Sequence, residues 1–242
     1  PRRNAANGMS LDVTRRSLLR GAGGAAVLAG SKGVAAQSSG ERIAIVGAGV
    51  FGAWTAVHLS RAGHRVTLID AWGPAHARAS SGGESRLTRG AYGKDAIYTR
   101  MAFDSLKEWK ALSAVSGLPI LHECGVLFFF PTEEPYVGDS LAVHKELGLT
   151  TEALTRAQMA QRFPMIDFTG VEVGLYEPAF GALMARRAVQ TLVDVFIQRG
   201  GTYVKGFVRP PSAAAELKSI ELSNGQRIEA DRFVFAAGPW LP

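Results

Sequence analysis

The residues with the clearest chemical pattern are three glycines, Gly47, Gly49 and Gly52, spaced as G-x-G-x-x-G. They follow a short apolar run over 43–46 and precede a helical pattern, so they lie where a buried strand becomes a helix. There the first glycine permits a tight turn, the second lets the backbone approach a pyrophosphate, and the third lets helix and strand pack closely. The amides at the helix start add a partial positive charge. The predicted phosphate-binding residues of this turn are Gly47, Gly49, Val50, Phe51 and Gly52.

A second strand is predicted over 66–69, and it ends at Asp70 and Ala71. A carboxylate at this position can accept hydrogen bonds from ribose hydroxyl groups, so we assign both residues to the same dinucleotide site. FAD and NAD share an adenine dinucleotide half, and the motif alone is compatible with either cofactor. A plain βαβ unit with a glycine-rich turn is the structural alternative.

The composition indicates a globular protein with a substantial core, because 47% of the 242 residues are hydrophobic and 20% are charged. The formal net charge of +6 is concentrated in residues 1–40, which contain six basic residues and one acidic residue. The nearly neutral remainder argues against a nucleic-acid partner. A single cysteine, Cys124, excludes an internal disulfide, and five histidines without metal-ligand spacing predict no metal site.

The N-terminal region has the order of an export signal. Arg15-Arg16 follow Met9, an apolar run over 21–30 comes next, and Val34-Ala35-Ala36 suits a cleavage site. We therefore predict a twin-arginine signal within a disordered leader over 1–40, and a periplasmic or secreted protein. The apolar run is too short to span a bilayer, which predicts no stable membrane insertion. A disordered basic tail without a targeting role is the alternative.

The remaining chain alternates between helical and strand patterns. Helices are predicted over 101–112, 140–147, 155–163 and 182–200, the last with Leu183 among its inward-facing residues. Strands are predicted over 125–130, 174–178, 202–208 and 230–238. Asn224-Gly225 predicts a hairpin turn ahead of the last strand. This mixture of helices and strands indicates an α/β fold.

A Ser/Gly-rich loop and the two arginines that follow it carry a family resemblance. The segment reads Ser80-Ser81-Gly82-Gly83 and continues as Arg86-x-x-Arg89-x-x-Tyr92-Gly93. Together with the dinucleotide unit and Ala236-Ala237-Gly238-x-Trp240, it resembles the D-amino-acid-oxidase superfamily of FAD enzymes, and more closely its sarcosine-oxidase-like branch. The resemblance covers nearly all of residues 41–242.

The resemblance implies an α/β fold with an FAD-binding, Rossmann-like domain of the glutathione-reductase type and an inserted α+β substrate domain. Residues 41–113 and 182–242 would form the FAD-binding domain, and residues 114–181 would form part of the substrate domain. Members of the family continue past the position of Pro242 with a lysine that aids the oxygen reaction, a second carboxylate-binding cation and, in some, a flavin-linked cysteine. The resemblance therefore implies a C-terminally incomplete protein.

The same resemblance assigns roles around the flavin. Ser80, Ser81, Arg86 and Leu87 would lie beside the isoalloxazine ring, where a cation favours the electron-rich reduced form. Arg89 matches the arginine that binds the substrate carboxylate, and a guanidinium suits that role because it binds carboxylates bidentately. Arg86 and Arg89 are therefore the predicted catalytic residues. The alternatives are a structural loop cation for Arg86 and a surface ion pair for Arg89.

Further contacts with the cofactor are assigned to the later part of the chain. The residues assigned are Val208, near the adenine, and Ala237, Gly238 and Trp240 in the turn after the last strand. For Trp240, a role in packing is the alternative. The chain departs from some relatives at Gly82, where they place a histidine near the flavin ring.

The resemblance implies an FAD-dependent oxidoreductase that oxidises the C–N bond of a small amino acid or secondary amine. Hydride would pass to flavin N5, the imine would hydrolyse, and O2 or another electron acceptor would reoxidise the flavin, with O2 giving H2O2. One alternative is a non-catalytic FAD-binding remnant, or a subunit that needs a second chain to complete the fold. An NAD(P)-dependent dehydrogenase is the other alternative, and it would give the 80–93 segment no role.

Overall fold

Seventeen helices and strands make up the part of the chain that the computed structural model describes, residues 40–211 and 216–241. In chain order they are β1 (Arg42–Val46), α1 (Val50–Arg61), β2 (Arg65–Asp70), β3 (Arg86–Thr88), α2 (Ala96–Ser116), β4 (Leu121–His122), β5 (Val126–Phe130), α3 (Pro135–Glu146), β6 (Glu152–Thr155), α4 (Arg156–Arg162), β7 (Val173–Glu177), β8 (Gly181–Leu183), α5 (Ala185–Gln198), β9 (Thr202–Lys205), β10 (Ser219–Glu221), β11 (Arg227–Glu229) and β12 (Arg232–Phe235). The predicted export signal and leader lie outside the described residues, apart from Gly40.

A parallel sheet with the order β12-β1-β2-β9 carries the predicted glycine turn at its carboxyl edge. Ile45 of β1 pairs with Leu68 of β2 on one side and with Val234 of β12 on the other. Both faces of β1 are buried, because helices α1 and α5 cover one face and the β10–β11 hairpin packs against the other. A continuous apolar run is typical of such a strand.

Helix α5 presents one apolar face to α1 and the sheet. The buried residues on this face include Val189, Leu192, Val193 and Phe196, at the spacing of a helix. The prediction that the helix begins at residue 182 is wrong at its start, because residues 181–183 form strand β8 between β3 and β4. Leu183 is buried as predicted, but it lies in this strand, where its backbone pairs with Arg86 and Leu121.

The segment between β2 and α5 forms two small antiparallel sheets, β3-β8-β4 and β5-β7-β6. Their strands β5 and β7 agree with the predicted strands to within one residue. Helix α4 begins at the predicted N-cap, Thr155, which forms a capping box with Gln158. Helix α3 begins five residues before the predicted start, at Pro135, because proline fits the first turn of a helix.

Helix α2 is longer than the predicted helix and ends where Gly117 adopts a left-handed conformation with φ of +66°. Leu106, Trp109 and Leu112 are buried, whereas Met101 is exposed to solvent. None of the helices in the described ranges is both long enough and apolar enough to cross a membrane. Within the same ranges, no cluster of His, Cys, Asp and Glu side chains could hold a metal ion.

Candidate functional site

The glycine turn connects β1 to α1 through contacts that leave no room for a side chain at Gly47 or Gly52. Gly47 has a φ of +109°, and its amide donates to the carbonyl oxygen of Ile69 at 2.7 Å. A Cβ at Gly47 would collide with the carbonyl oxygen of Ala236, and a Cβ at Gly52 would collide with that of Gly47. These two glycines therefore let the turn close tightly between the strands and the helix.

Gly49 differs from the other two glycines because its side-chain position faces open space. The nearest atom to a Cβ placed there is Ser81 Oγ, at 3.9 Å. Gly49 is also the N-cap residue of α1, and as a glycine it has no side chain of its own to cap the helix. The backbone amides at the start of α1 therefore border a cradle that a Cβ would fill, and such a cradle fits a pyrophosphate group.

Asp70 fastens the glycine turn to the loop that follows β2. Its carboxyl group is buried, with an exposed fraction of 8%, and Oδ2 accepts a hydrogen bond from the amide of Ala48 at 2.8 Å. Oδ1 accepts from the amides of Trp72 and Gly73, each at 2.9 Å. A carboxylate has about four acceptor positions, so one is left for the predicted ribose hydroxyl group. The sequence did not reveal this structural role of Asp70.

The Ser/Gly-rich loop reaches the start of α1 through Ser81. Residues Ser80–Gly82 form a 3₁₀ turn, and the buried Ser81 hydroxyl accepts a hydrogen bond from the amide of Val50 at 3.2 Å. This bond joins two segments that the sequence assigned independently to the cofactor, the glycine turn and the 80–93 segment. The loop therefore borders the phosphate cradle.

Arg186, at the start of α5, holds the same loop from the other side. Its guanidinium donates to the carbonyl oxygen of Gly82 from Nε at 3.0 Å and from Nη2 at 2.6 Å, and its Nη1 lies 2.8 Å from Glu84 Oε1. A Cβ at Gly82 would collide with the carbonyl oxygen of His76. The loop thus packs too closely on residue 76 for a side chain at position 82.

Arg86 and Arg89 lie on and after β3, and neither has a carboxylate partner in residues 40–211 and 216–241. Arg86 folds back onto the loop, where it donates to the carbonyl oxygens of Ser85, at 2.8 Å, and Ser80. Arg89 Nη1 donates to the carbonyl oxygen of Ala91 at 2.8 Å. The absence of an acidic group within 4 Å, among the described residues, argues against a surface ion pair for Arg89, whereas the loop bonds of Arg86 fit both of its interpretations.

The aromatic neighbours of Arg89 fix the plane of its guanidinium. The group lies 4.4 Å from the centre of the Tyr92 ring, a cation–π distance, and Nη1 is 3.3 Å from the Tyr136 hydroxyl. Leu87, between the two arginines, is exposed. Both hydrogen bonds recorded for this guanidinium, among the described residues, come from Nη1, so Nη2 and Nε stay available for an anionic ligand.

The cofactor contacts predicted for the later part of the chain, at Val208 and over 237–240, lie in two separate places. Ala237 and Gly238 follow β12, which pairs with β1 up to Val46 beside the glycine turn, and Trp240 is half exposed with its ring 5.2 Å from that of Trp72. Val208 lies beyond the end of β9, because the strand stops at Lys205, and it forms a single bridge with Leu222 of the hairpin. The structure thus brings the 237–240 turn to the edge that carries the glycine turn and the loop after Asp70.

Sequence reasoning missed a buried pair of titratable residues, Glu177 and His144. Glu177, at the end of β7, has an exposed fraction of 0%, and its Oε1 and Oε2 accept from the amide of Gly90 at 3.1 and 3.2 Å. His144 Nε2 lies 3.6 Å from Glu177 Oε1. Burial raises the pKa of the Glu177 carboxyl to about 7, against the lowering effect of the amide bonds. A glutamate that ends an apolar strand was the only signal in the sequence.

We expect the raised pKa of Glu177 to make the folded protein less stable as pH rises from about 4.5 to about 7. In this window the folded protein keeps a proton that the unfolded chain has lost, and the pKa difference corresponds to about 3 kcal/mol of unfolding free energy. Thermal unfolding at about pH 5 and about pH 8 should show the fall in the unmodified protein and a smaller fall in Glu177→Gln. Glu172→Gln, an exposed control beside the same strand, should keep it. An equal fall in Glu177→Gln would show that this carboxyl is not responsible.

Comparisons with known proteins agree with the geometry. Residues 42–242 match the DAO family of FAD-dependent oxidoreductases. The chain is 32% identical to peroxisomal sarcosine oxidase of Mus musculus over 214 residues, which cover 86% of this chain and 53% of the relative. It is 28% identical to monomeric sarcosine oxidase of Bacillus sp. (strain B-0618) over 204 residues, covering 82% and 51%. The chain thus spans about half the length of the curated relatives it matches.

Solved structures show the same fold at low sequence identity. L-Proline dehydrogenase from P. horikoshii superposes with a TM-score of 0.73 at 20% identity, covering 83% of this chain and 54% of that chain. Fructosyl peptide oxidase from E. terrenum gives a TM-score of 0.72 at 21% identity, covering 85% and 51%. The predicted fold class, family and cofactor are confirmed, and the alternative of a nicotinamide cofactor is set aside. The chain belongs to the DAO family of FAD-dependent oxidoreductases.

Proposed function

We propose that the protein is an FAD-dependent oxidoreductase that oxidises the C–N bond of a small amino acid or secondary amine carrying a carboxylate. The observation that supports this most is the hydrogen bond between the Val50 amide and the Ser81 hydroxyl. It sets the phosphate cradle beside a loop that continues into two arginines without acidic partners in the described residues. The relatives named sarcosine oxidase support a small N-methylated amino acid as the substrate.

In the proposed reaction, the residues of this chain bind and orient the cofactor and the substrate. The backbone amides around Gly49 would hold the pyrophosphate, while Ser81 fixes the loop to the Val50 amide beside them. Arg86 would place a positive charge near the flavin. Arg89 binds the substrate carboxylate, so that the carbon bearing the amine faces the cofactor. FAD, when bound, supplies the two-electron acceptor for hydride from that carbon. No strong general base is required if the amine reacts unprotonated.

The test is the visible spectrum of the purified protein, followed by addition of N-methylglycine without oxygen. We expect the two absorption bands of an oxidised flavin, and their bleaching by the substrate. Peroxide formation after readmission of air would identify O2 as the acceptor, and turnover only with an added dye would identify a dehydrogenase. A flavin-loaded protein that no small amine or amino acid bleaches would contradict the proposed reaction.

Arg186→Ala is expected to weaken FAD binding by about fivefold, because the Ser/Gly-rich loop loses two hydrogen bonds and an ion pair that position it. Equilibrium titration of FAD, followed by flavin fluorescence, would measure the change. Arg187→Ala is the matched control, since the next residue on α5 donates only to the carbonyl oxygen of Pro119. Equal affinities in both variants would show that the loop does not depend on Arg186.

We also propose that a second polypeptide segment covers the cofactor edge in the working enzyme. The cofactor edge is the carboxyl edge of the β12-β1-β2-β9 sheet, which carries the glycine turn. Phe51, Trp240 and Leu241 are exposed at or near this edge, and the chain spans about half the length of its relatives. If the chain binds FAD weakly alone, co-expression with the C-terminal half of a sarcosine oxidase should raise its flavin content. Unchanged flavin content would contradict this proposal without affecting the assigned family.

Export through the twin-arginine pathway is a further proposal, supported by Arg15-Arg16 and the apolar run over 21–30. Fractionation of cells that express the protein should place it in the periplasm. Replacement of both arginines by lysine should retain it in the cytoplasm. If the unmodified protein and the double-lysine variant were divided in the same way between periplasm and cytoplasm, this result would contradict an export signal.

A further inference from the structure

The buried Glu177 carboxyl has no role in the reaction proposed above. It accepts hydrogen bonds from the amide of Gly90, the residue that follows Arg89. We propose that Glu177, supported by His144, is a positioning residue that holds the Gly90–Ala91 backbone so that the Arg89 guanidinium faces the substrate carboxylate. This inference rests on the proposed function of Arg89. It assigns Glu177 no contact with substrate or cofactor.

Both polar groups of the Gly90 backbone are held by buried side chains. Its amide donates to the two oxygens of Glu177, and its carbonyl oxygen accepts from Thr99 Oγ1 at 2.8 Å. Thr99 and Glu177 each have an exposed fraction of 0%. A Cβ at Gly90 would lie 2.7 Å from the Phe180 ring and 3.0 Å from Glu177 Oε1. The chain is therefore drawn close to β7 at this point, and only glycine allows the approach.

Arg89 is fastened to the same short stretch of backbone. Its Nη1 donates to the carbonyl oxygen of Ala91, which also accepts a hydrogen bond from the Tyr136 hydroxyl at 2.6 Å. The guanidinium is thus hydrogen-bonded to Ala91, the residue that follows Gly90, whose amide donates to Glu177. A shift of Gly90 and Ala91 would move the guanidinium with them, and charge-assisted bonds lose strength steeply when their geometry is lost.

His144 lies beside the buried Glu177 carboxyl, with Nε2 at 3.6 Å from Oε1. Its Nδ1 lies 2.8 Å from Thr151 Oγ1, while its Nε2 faces Glu177 and has no hydrogen-bond partner among the described residues. The two side chains are each about 1% exposed and pack against one another away from solvent. The raised pKa of the Glu177 carboxyl favours its neutral form, which avoids an isolated buried charge. Burial raises the pKa of the Tyr136 phenol and Glu177 adds to that rise, while the positive charge of Arg89 acts to lower the pKa of Glu177.

The proposal is tested by equilibrium binding, which does not depend on turnover. Methoxyacetate has the shape of N-methylglycine but no C–N bond to oxidise, and methoxyacetamide is its neutral counterpart. Calorimetric titration of the FAD-loaded protein should show tighter binding of the carboxylate. Glu177→Gln should raise the Kd of methoxyacetate about tenfold and that of methoxyacetamide less than about twofold. Glu172→Gln should change neither.

Two further variants separate positioning from general damage to the fold. Thr99→Val removes the other tether of Gly90 without altering a charge, and it should raise the Kd of methoxyacetate about threefold with little effect on the amide. In the Arg89→Ala background, Glu177→Gln should add less than about twofold, because both residues act through one guanidinium. Additive losses, or equal losses for both ligands, would overturn the positioning role.

The outcome also distinguishes this inference from the proposed function. If the unmodified protein does not prefer the carboxylate to the amide, or if Arg89→Ala keeps that preference unchanged, then the substrate role of Arg89 fails. The positioning role fails with it. If Arg89→Ala abolishes the preference while Glu177→Gln and Thr99→Val retain it, then only the positioning role is overturned.

Discussion

Gly49→Val is expected to leave the protein folded but unable to retain FAD. A Cβ at this position meets only Ser81 Oγ, at 3.9 Å, so a side chain can start here without colliding with the protein backbone. It would fill the cradle at the start of α1, where the pyrophosphate approaches the backbone amides. Loss of one or two charge-assisted hydrogen bonds would raise the Kd of FAD about 100-fold or more. Flavin content after purification and titration of the apoprotein with FAD would measure the effect.

The control for this prediction is Gly138→Val. Gly138 is an exposed glycine within α3, with no atom within 4 Å of an added Cβ and no positive φ. It receives the same side chain in an unrelated place and should retain FAD with unchanged affinity. Normal flavin retention in Gly49→Val would show that phosphates do not approach the backbone at this turn.

Arg89→Ala is expected to weaken binding of carboxylate substrates about 10-fold to 100-fold, while neutral amines are little affected. A charge-assisted hydrogen bond contributes about 1.5–3 kcal/mol, and the guanidinium has no acidic partner in the described residues to share it with. The measurement is the KM of N-methylglycine against that of its amide, in an active form of the enzyme. The value of kcat should change less than KM, because the lost contact also forms in the ground state.

Two further variants test whether the effect of Arg89→Ala comes from the loss of its guanidinium at this position. Arg89→Lys keeps the charge but loses the planar donor pair, so we expect an intermediate KM for the carboxylate. Arg199→Ala removes an exposed arginine whose side chain makes no ion pair in the described part of the chain, and it should behave as the unmodified protein. Equal losses for N-methylglycine and its amide in Arg89→Ala would contradict a carboxylate-binding role.

The parts of the fold that could be predicted from sequence are those specified by neighbouring residues. The β1–α1–β2 unit was predicted closely because an apolar run, a turn that requires glycine and a helical pattern follow one another within about 30 residues. The Thr155 capping box and the Asn224-Gly225 hairpin are local in the same sense. In each case the residue types alone determine the backbone conformation.

The error at Leu183 and the missed contacts of Arg186 and Glu177 arose where distant parts of the chain determine the structure. Leu183 was assigned to a helix because its spacing continues the apolar pattern of α5, yet β3 lies almost 100 residues earlier and pairs with it as a strand. The loop contact of Arg186 with Gly82 spans 104 positions, and that of Glu177 with Gly90 spans 87. Local patterns carry no information on such pairings. The resemblance to a family located Arg86 and Arg89, but it did not reveal the residues that hold them.

The central claim is that FAD places its pyrophosphate on the turn from Gly47 to Gly52 and its flavin beside the loop from Ser80 to Arg89. A crystal structure of the FAD-loaded protein tests it most directly. The account predicts phosphate oxygens within hydrogen-bond distance of the Gly49 or Phe51 amide, on either side of the Val50 amide that donates to Ser81, and the isoalloxazine ring next to Ser81 and Arg86. A pyrophosphate bound away from this turn, or a flavin ring remote from this loop, would contradict the account.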